Sequence, residues 1–138
     1  MKKAVLSFVL VALLFCAPLA GQGGRFDGKW QTTLSCDRFK DALGFSWEFV
    51  SIVKAGNLRG QYGVEGKPAS LVIEGKIGDD GTAMLHTTVH TGKKEYTPGQ
   101  DTPPGTEVTY HVKATFKDTS GKGTRVEGRP CTYDFVKQ

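Results

Sequence analysis

The residue types able to do chemistry are few in this chain, and their spacing decides most cases. His86 and His90 stand four apart, which on a helix would put them about 6 Å from one another. Their surroundings alternate with period two, and on a strand the same pair is about 13 Å apart at roughly 3.3 Å per residue. Zinc holds its ligands about 2 Å from one ion, so the pair does not chelate together. His111 falls on the outward parity of its own strand and reads, like the other two, as a solvated surface histidine. Gly44-Phe-Ser-Trp-Glu48 lacks the second glycine of a nucleophile elbow. Asp79 and Asp80 are adjacent carboxylates that a hairpin turn accounts for. The many glycines include no G-x-x-x-x-G-K-S/T phosphate loop. No catalytic residue, metal site or cofactor is therefore expected.

Cysteine placement carries more. Lys2 and Lys3, the apolar run from Ala4, and Ala17-Pro-Leu-Ala20 form an export signal over residues 1–20, with Gly21 or Gly23 as alternative ends. Phe15 stands where lipidation of Cys16 would need a small residue. Cys36 and Cys131 remain, and in an oxidising compartment they are expected to form a disulfide. The expected address is the periplasm or the exterior, with no stable membrane insertion after the signal is removed. About 118 of the 138 residues are left, enough for one domain, placed at 26–137. The formal charge of +4 falls to about +2 without the signal lysines, too little for a nucleic-acid partner.

These residues must be positioned by strands. Phe26, Trp30, Thr32, Leu34 and Cys36 share one parity, and so do Cys131, Tyr133 and Phe135. Phe45, Trp47 and Phe49 lie on one face of a second strand, with Val50 and Ile52 on the other, which predicts a bulge or burial on both sides. A third strand turns Leu58, Tyr62 and Val64 inward. A fourth turns Leu71, Ile73 and Ile77 inward and Ser70 outward. Gly78-Asp-Asp-Gly81 predicts a hairpin with a primed turn. Val108, Tyr110, Val112, Ala114 and Phe116 form one clean face. Residues 118–123 read as a turn, followed by one kinked strand or two short ones. The sum is an all-β antiparallel meander of seven or eight strands, a small closed barrel with the first strand beside the last. A two-sheet sandwich is the alternative.

Trp30, Leu34, Trp47, Tyr62, Tyr110, Phe116 and Phe135 are the expected core, with Trp30 covering the barrel's closed end. Such aromatics either fill a small barrel or leave an apolar cup for one ligand, and a connected cavity of about 300 Å³ or more would separate the two. Lys29, Arg125 and Arg129 lie near the seam and predict a salt-bridged rim with Glu127 and Asp134.

Gly28-Lys-Trp30 with the later Gly56-Asn-Leu-Arg-Gly-Gln-Tyr62 resembles the opening of calycin-type barrels, the lipocalins and avidin-like proteins. That likeness covers under a third of the domain. No tryptophan follows Trp47, so it implies no biotin site. Phe26-Asp-Gly-Lys-Trp30, Ala42-Leu-Gly44, Gly60-Gln-Tyr-Gly-Val-Glu-Gly-Lys-Pro68, Asp80-Gly81 and Gly121-Lys-Gly-Thr-Arg-Val-Glu-Gly-Arg-Pro-Cys131 together resemble a family of small exported bacterial β-domains of unknown function. The resemblance implies a Gram-negative periplasmic address and no activity.

Two roles fit. One is a non-catalytic module that binds a small, partly apolar molecule in the barrel mouth. The other is a protein-interaction module, such as an inhibitor of a periplasmic enzyme. The connection 92–106 is longer than a hairpin needs. Its Lys93, Lys94, Tyr96, Gln100 and Asp101 are the expected contacts to a ligand or an exported partner.

Overall fold

The computed structural model describes residues 24–99 and 101–138. The export signal, its alternative ends and Gln100 lie outside the described residues. Eight strands follow one another: β1 Gly28–Cys36, β2 Phe45–Lys54, β3 Asn57–Tyr62, β4 Ser70–Lys76, β5 Thr82–His90, β6 Glu107–Phe116, β7 Ser120–Arg125 and β8 Cys131–Lys137. Each pairs antiparallel with the next, and β8 returns to β1, so the sheet closes into a barrel. Closure leaves no strand edge unpaired. Cys36 and Cys131 are register partners across the closing seam and are joined by a disulfide.

One end is packed solid. Trp30 is fully buried, donates its indole N–H to the Phe26 carbonyl at 2.8 Å, and meets the Phe116 ring edge-on at 5.3 Å. Gly121 and Gly123 face inward from β7, so residues 120–123 are strand rather than turn. A Cβ at Gly121 would sit 2.7 Å from the Phe116 ring, and the absence of one leaves the ring its space. Packing at this end also includes Val53, Leu58, Ile77 and Ala83.

Tight turns close this end. Ala55 and Gly56 both have positive φ, 49° and 77°, so the primed two-residue turn joins β2 to β3. Asp27 holds it: the carboxylate accepts from Ala55 N at 2.7 Å and Gly56 N at 3.0 Å. These bonds favour the charged form and depress the Asp27 pKa, despite an opposing contribution from desolvation. The Gly78–Gly81 turn is not of the primed two-residue kind, because Gly81 alone turns to positive φ. Gly81 approaches Phe116 so closely that its carbonyl accepts the Phe116 N–H at 2.7 Å.

β2 carries no bulge. Its register against β1 is unbroken from Phe45 to Val53, and the inward face continues through Ser51. Val50 and Ile52 are simply exposed. Ser51 was obscured as an inward residue because it is polar, but its hydroxyl pairs with Thr32 at 2.7 Å inside the barrel. Val64 is exposed beyond the end of β3. Ser70 is buried, its hydroxyl donating to the Lys67 carbonyl at 2.6 Å. Val64 lies past the strand, whereas Ser70 keeps the outward parity of Glu74 and is buried against the preceding turn.

Candidate functional site

The other end is hollow. A cavity of about 790 Å³ opens there, bounded by the end of β1, the start of β2, the end of β3 and the β5–β6 strands. Inward parity brings Leu34, Trp47, Tyr62, Val89, Val108 and Tyr110 to its wall. The aromatic rings line the wall instead of reaching across it. Trp47 and Tyr62 stack nearly parallel, with centroids 4.4 Å apart and planes 9° apart. Phe45 tilts onto Trp47 at 4.9 Å, and Tyr96 meets Phe45 edge-on. Of the residues expected in the core, Trp30, Phe116 and Phe135 belong to the solid end, while Leu34, Trp47, Tyr62 and Tyr110 line the cup.

Tyr110 also marks the boundary between the two. Its hydroxyl lies 2.6 Å from that of Tyr133. Burial raises both phenol pKa values, Tyr133 well above its ordinary value. The pair therefore stays protonated at neutral pH. Thr87, the register partner of Tyr110, has a buried hydroxyl that makes no well-formed hydrogen bond among the described residues but lies near enough to Tyr133 to oppose the rise of that phenol's pKa. With Thr32 and Ser51 these groups make the barrel's midsection polar.

Four connections form the mouth: 37–44, 63–69, 91–106 and 126–130. Arg129 binds its own connection to 37–44 and 91–106. Only 4% exposed, it donates from Nε and Nη2 to the Asp37 carbonyl, from Nη2 to Leu43 at 2.6 Å and from Nη1 to Tyr96 at 2.8 Å. Its guanidinium lies 5.1 Å from the centre of the Phe45 ring. Burial lowers the Arg129 pKa, the nearby Arg125 charge lowers it further, and Asp37 opposes them. Arginine is nonetheless charged at neutral pH.

The expected salt-bridged rim does not form as such. Asp134 pairs with Lys122 and Glu127 with His111, each at 2.7 Å. Lys29 points outward from β1, while Arg125 and Arg129 line the cup. Sequence neighbourhood was a poor guide because Lys122 and Asp134 are opposite one another on β7 and β8, whereas the β7–β8 connection turns Arg129 over the mouth.

The 92–106 connection is folded down rather than projecting. Leu43 N donates to Glu95 O at 2.7 Å, and Gly99 N donates to the Asp41 carboxylate at 3.1 Å. Lys93 and Tyr96 reach the cup. Lys94 and Asp101 instead border a small polar recess with Asp41, Leu43 and Glu95. Alternating pattern could not find this arrangement, because it depends on loop-to-loop bonds.

The histidines lie elsewhere. His86 and His111 are cross-strand partners on the outer face, with ring centroids 5.5 Å apart. His90 is less solvated than expected: its side chain is 18% exposed and lies 3.5 Å from Glu107. Among the described residues no three His, Cys, Asp or Glu side chains gather as metal ligands. The class defined here is an eight-stranded antiparallel barrel, closed by a disulfide at its seam and hollow at one end. No family model, curated protein or solved structure matches the chain.

Proposed function

We propose that this protein is an exported, non-catalytic binding module that holds one small, partly apolar molecule in the barrel mouth. The observation that carries this reading is the hollow end itself. Its volume of about 790 Å³ lies within the usual range for small-molecule sites, roughly 300–1,000 Å³. Aromatic and aliphatic side chains make most of its wall, with a few polar groups placed among them. The described lining residues include no carboxylate or histidine, and Cys36 is tied up in the disulfide. That composition suits binding better than acid–base or nucleophilic chemistry. The disulfide is compatible with an oxidising location, which supports a periplasmic or secreted address.

The interaction-module alternative draws less support. The long loop on which it relied is bonded to the 37–44 connection and forms a wall of the cup. The test is a titration of delipidated protein with N-phenyl-1-naphthylamine, a neutral aromatic probe. Saturable one-to-one binding is expected. Val89→Trp, which places a large side chain on the β5 wall, should abolish it while the melting temperature is kept. Binding that survives Val89→Trp in a folded variant would place the ligand outside the cup.

A further inference from the structure

We propose that the cup selects an organic anion: a molecule with a flat apolar body and one acidic group, held at the mouth by Arg125 in the field of Arg129 and Lys93. This inference rests on the cup being a ligand site. Three cationic side chains and no carboxylate line it among the described residues. The ion pairs of Arg25 with Asp118, Arg59 with Glu65 and Lys122 with Asp134 all lie on the exposed outer surface, away from the cup. Arg125 and Arg129 have no ion pair among the described residues.

Their geometry differs in a useful way. Arg129 is committed to three loop carbonyls and contributes mainly its charge. Arg125 lies over the Tyr110 ring at 3.9 Å, and its Nε donates to the Glu127 carbonyl. Its Nη1 and Nη2 have no partner among the described residues, so one edge of the guanidinium is open to a ligand. A guanidinium offers paired donors that match a carboxylate or phosphate. Two close cations repel, the Asp37 charge offsets only part of that at Arg129, and burial strengthens the repulsion because screening is weak. An acidic ligand relieves it. The apolar body follows from the opposite wall, where the stacked Trp47 and Tyr62 rings offer an aromatic surface.

The experiment compares 8-anilinonaphthalene-1-sulfonate with N-phenyl-1-naphthylamine, the same ring system without the acid. At low salt the anionic probe should bind at least tenfold tighter, and the ratio should shrink at high salt. In Arg125→Met the ratio should fall close to one, with part of it kept in Arg125→Lys. Near-UV circular dichroism and the melting temperature establish that each variant is folded. If Arg125→Met does not fold, Lys93→Met replaces it, and the ratio should fall at least threefold. Displacement by 1-naphthoate and 1-naphthyl phosphate then ranks carboxylate against phosphate. Equal affinity for the two probes, or a ratio unchanged in a folded variant, overturns the anion preference and leaves the cup as an apolar site. Failure of both probes to bind overturns the cup reading as well.

Discussion

Arg129 Nη1 lies 2.8 Å from the carbonyl oxygen of Tyr96, a residue 33 positions earlier in the chain. The same side chain reaches the carbonyls of Asp37 and Leu43. One buried cation thus ties its own loop to the 37–44 and 91–106 connections, which are also bonded to each other. Carbonyl dipoles solvate it, so the site retains its positive charge.

Removing this side chain should loosen the mouth without opening the barrel. Arg129→Met leaves three carbonyls short of a donor. It should lower the unfolding free energy by about 2–4 kcal/mol, as expected for charged hydrogen bonds lost together. Arg129→Lys should recover less than half, because an ammonium cannot fork between Asp37, Leu43 and Tyr96. Urea unfolding provides the measurement. A loss under about 0.5 kcal/mol would show that the loops hold one another without Arg129.

Stability should fall in acid. Hydrogen bonds from Gly56 and Ala55 depress the Asp27 pKa below its ordinary 3.8, and the His111 backbone and ring depress that of Glu127 below 4.5. A depressed carboxylate contributes its stability above its unfolded pKa and loses it as pH falls through the folded pKa. The melting temperature should therefore be nearly level from about pH 7 to 5 and decline below about pH 4. Asp27→Asn should melt lower at neutral pH and show a shallower acid decline. Parallel pH profiles for the two proteins would refute the assignment to Asp27.

The space beside Phe116 should reject even a methyl group. Gly121→Ala places a Cβ 2.7 Å from that ring. The expected loss is about 1–3 kcal/mol from overpacking. Phe116→Leu should cost less in the Gly121→Ala background than alone, because the smaller side chain relieves the clash. Additive losses in a double-mutant cycle would mean that backbone movement, rather than this ring, absorbs the methyl.

The seam disulfide spans 95 residues of sequence. Chain-entropy reasoning gives about 4–5 kcal/mol for a loop of this size, as an upper figure. The Cys36→Ala, Cys131→Ala double variant should lose a large part of that in chemical denaturation. Non-reducing mass spectrometry of the native protein should show two fewer hydrogens than the reduced form. Two alkylatable thiols in unreduced, denatured protein would contradict the bond.

Strand order and the disulfide were legible because they rest on parity and on cysteine pairing. Trp30, Leu34, Phe116 and Phe135 are apolar residues on unambiguous inward faces, and burial follows directly. Polar inward residues were harder. Ser51 breaks the apolar series of β2, so Val50 and Ile52 seemed to form a second buried face. Only the cross-strand bond to Thr32 makes that serine at home inside. The cup was half legible. Trp47, Tyr62 and Tyr110 have the right parity, but parity does not reveal whether rings meet across a barrel or lie along its wall. Arg125 and Arg129 were read beside Glu127 and Asp134 because they are near in sequence. The loop fold that frees them from those carboxylates has no local pattern to announce it.

The ends of the described chain both lie at the solid end. Gln138 N bonds to the Lys29 carbonyl at the start of β1, and Gly24 accepts from Asp27 beside the β2–β3 turn. The barrel axis therefore acts as a handle with the mouth at its far tip. A tag or surface linker attached after Gln138 grips the molecule from behind. In an immobilised binding assay, that attachment should leave the mouth facing the solution. Coupling through Lys93, which lies at the mouth, would turn the same surface into a plug.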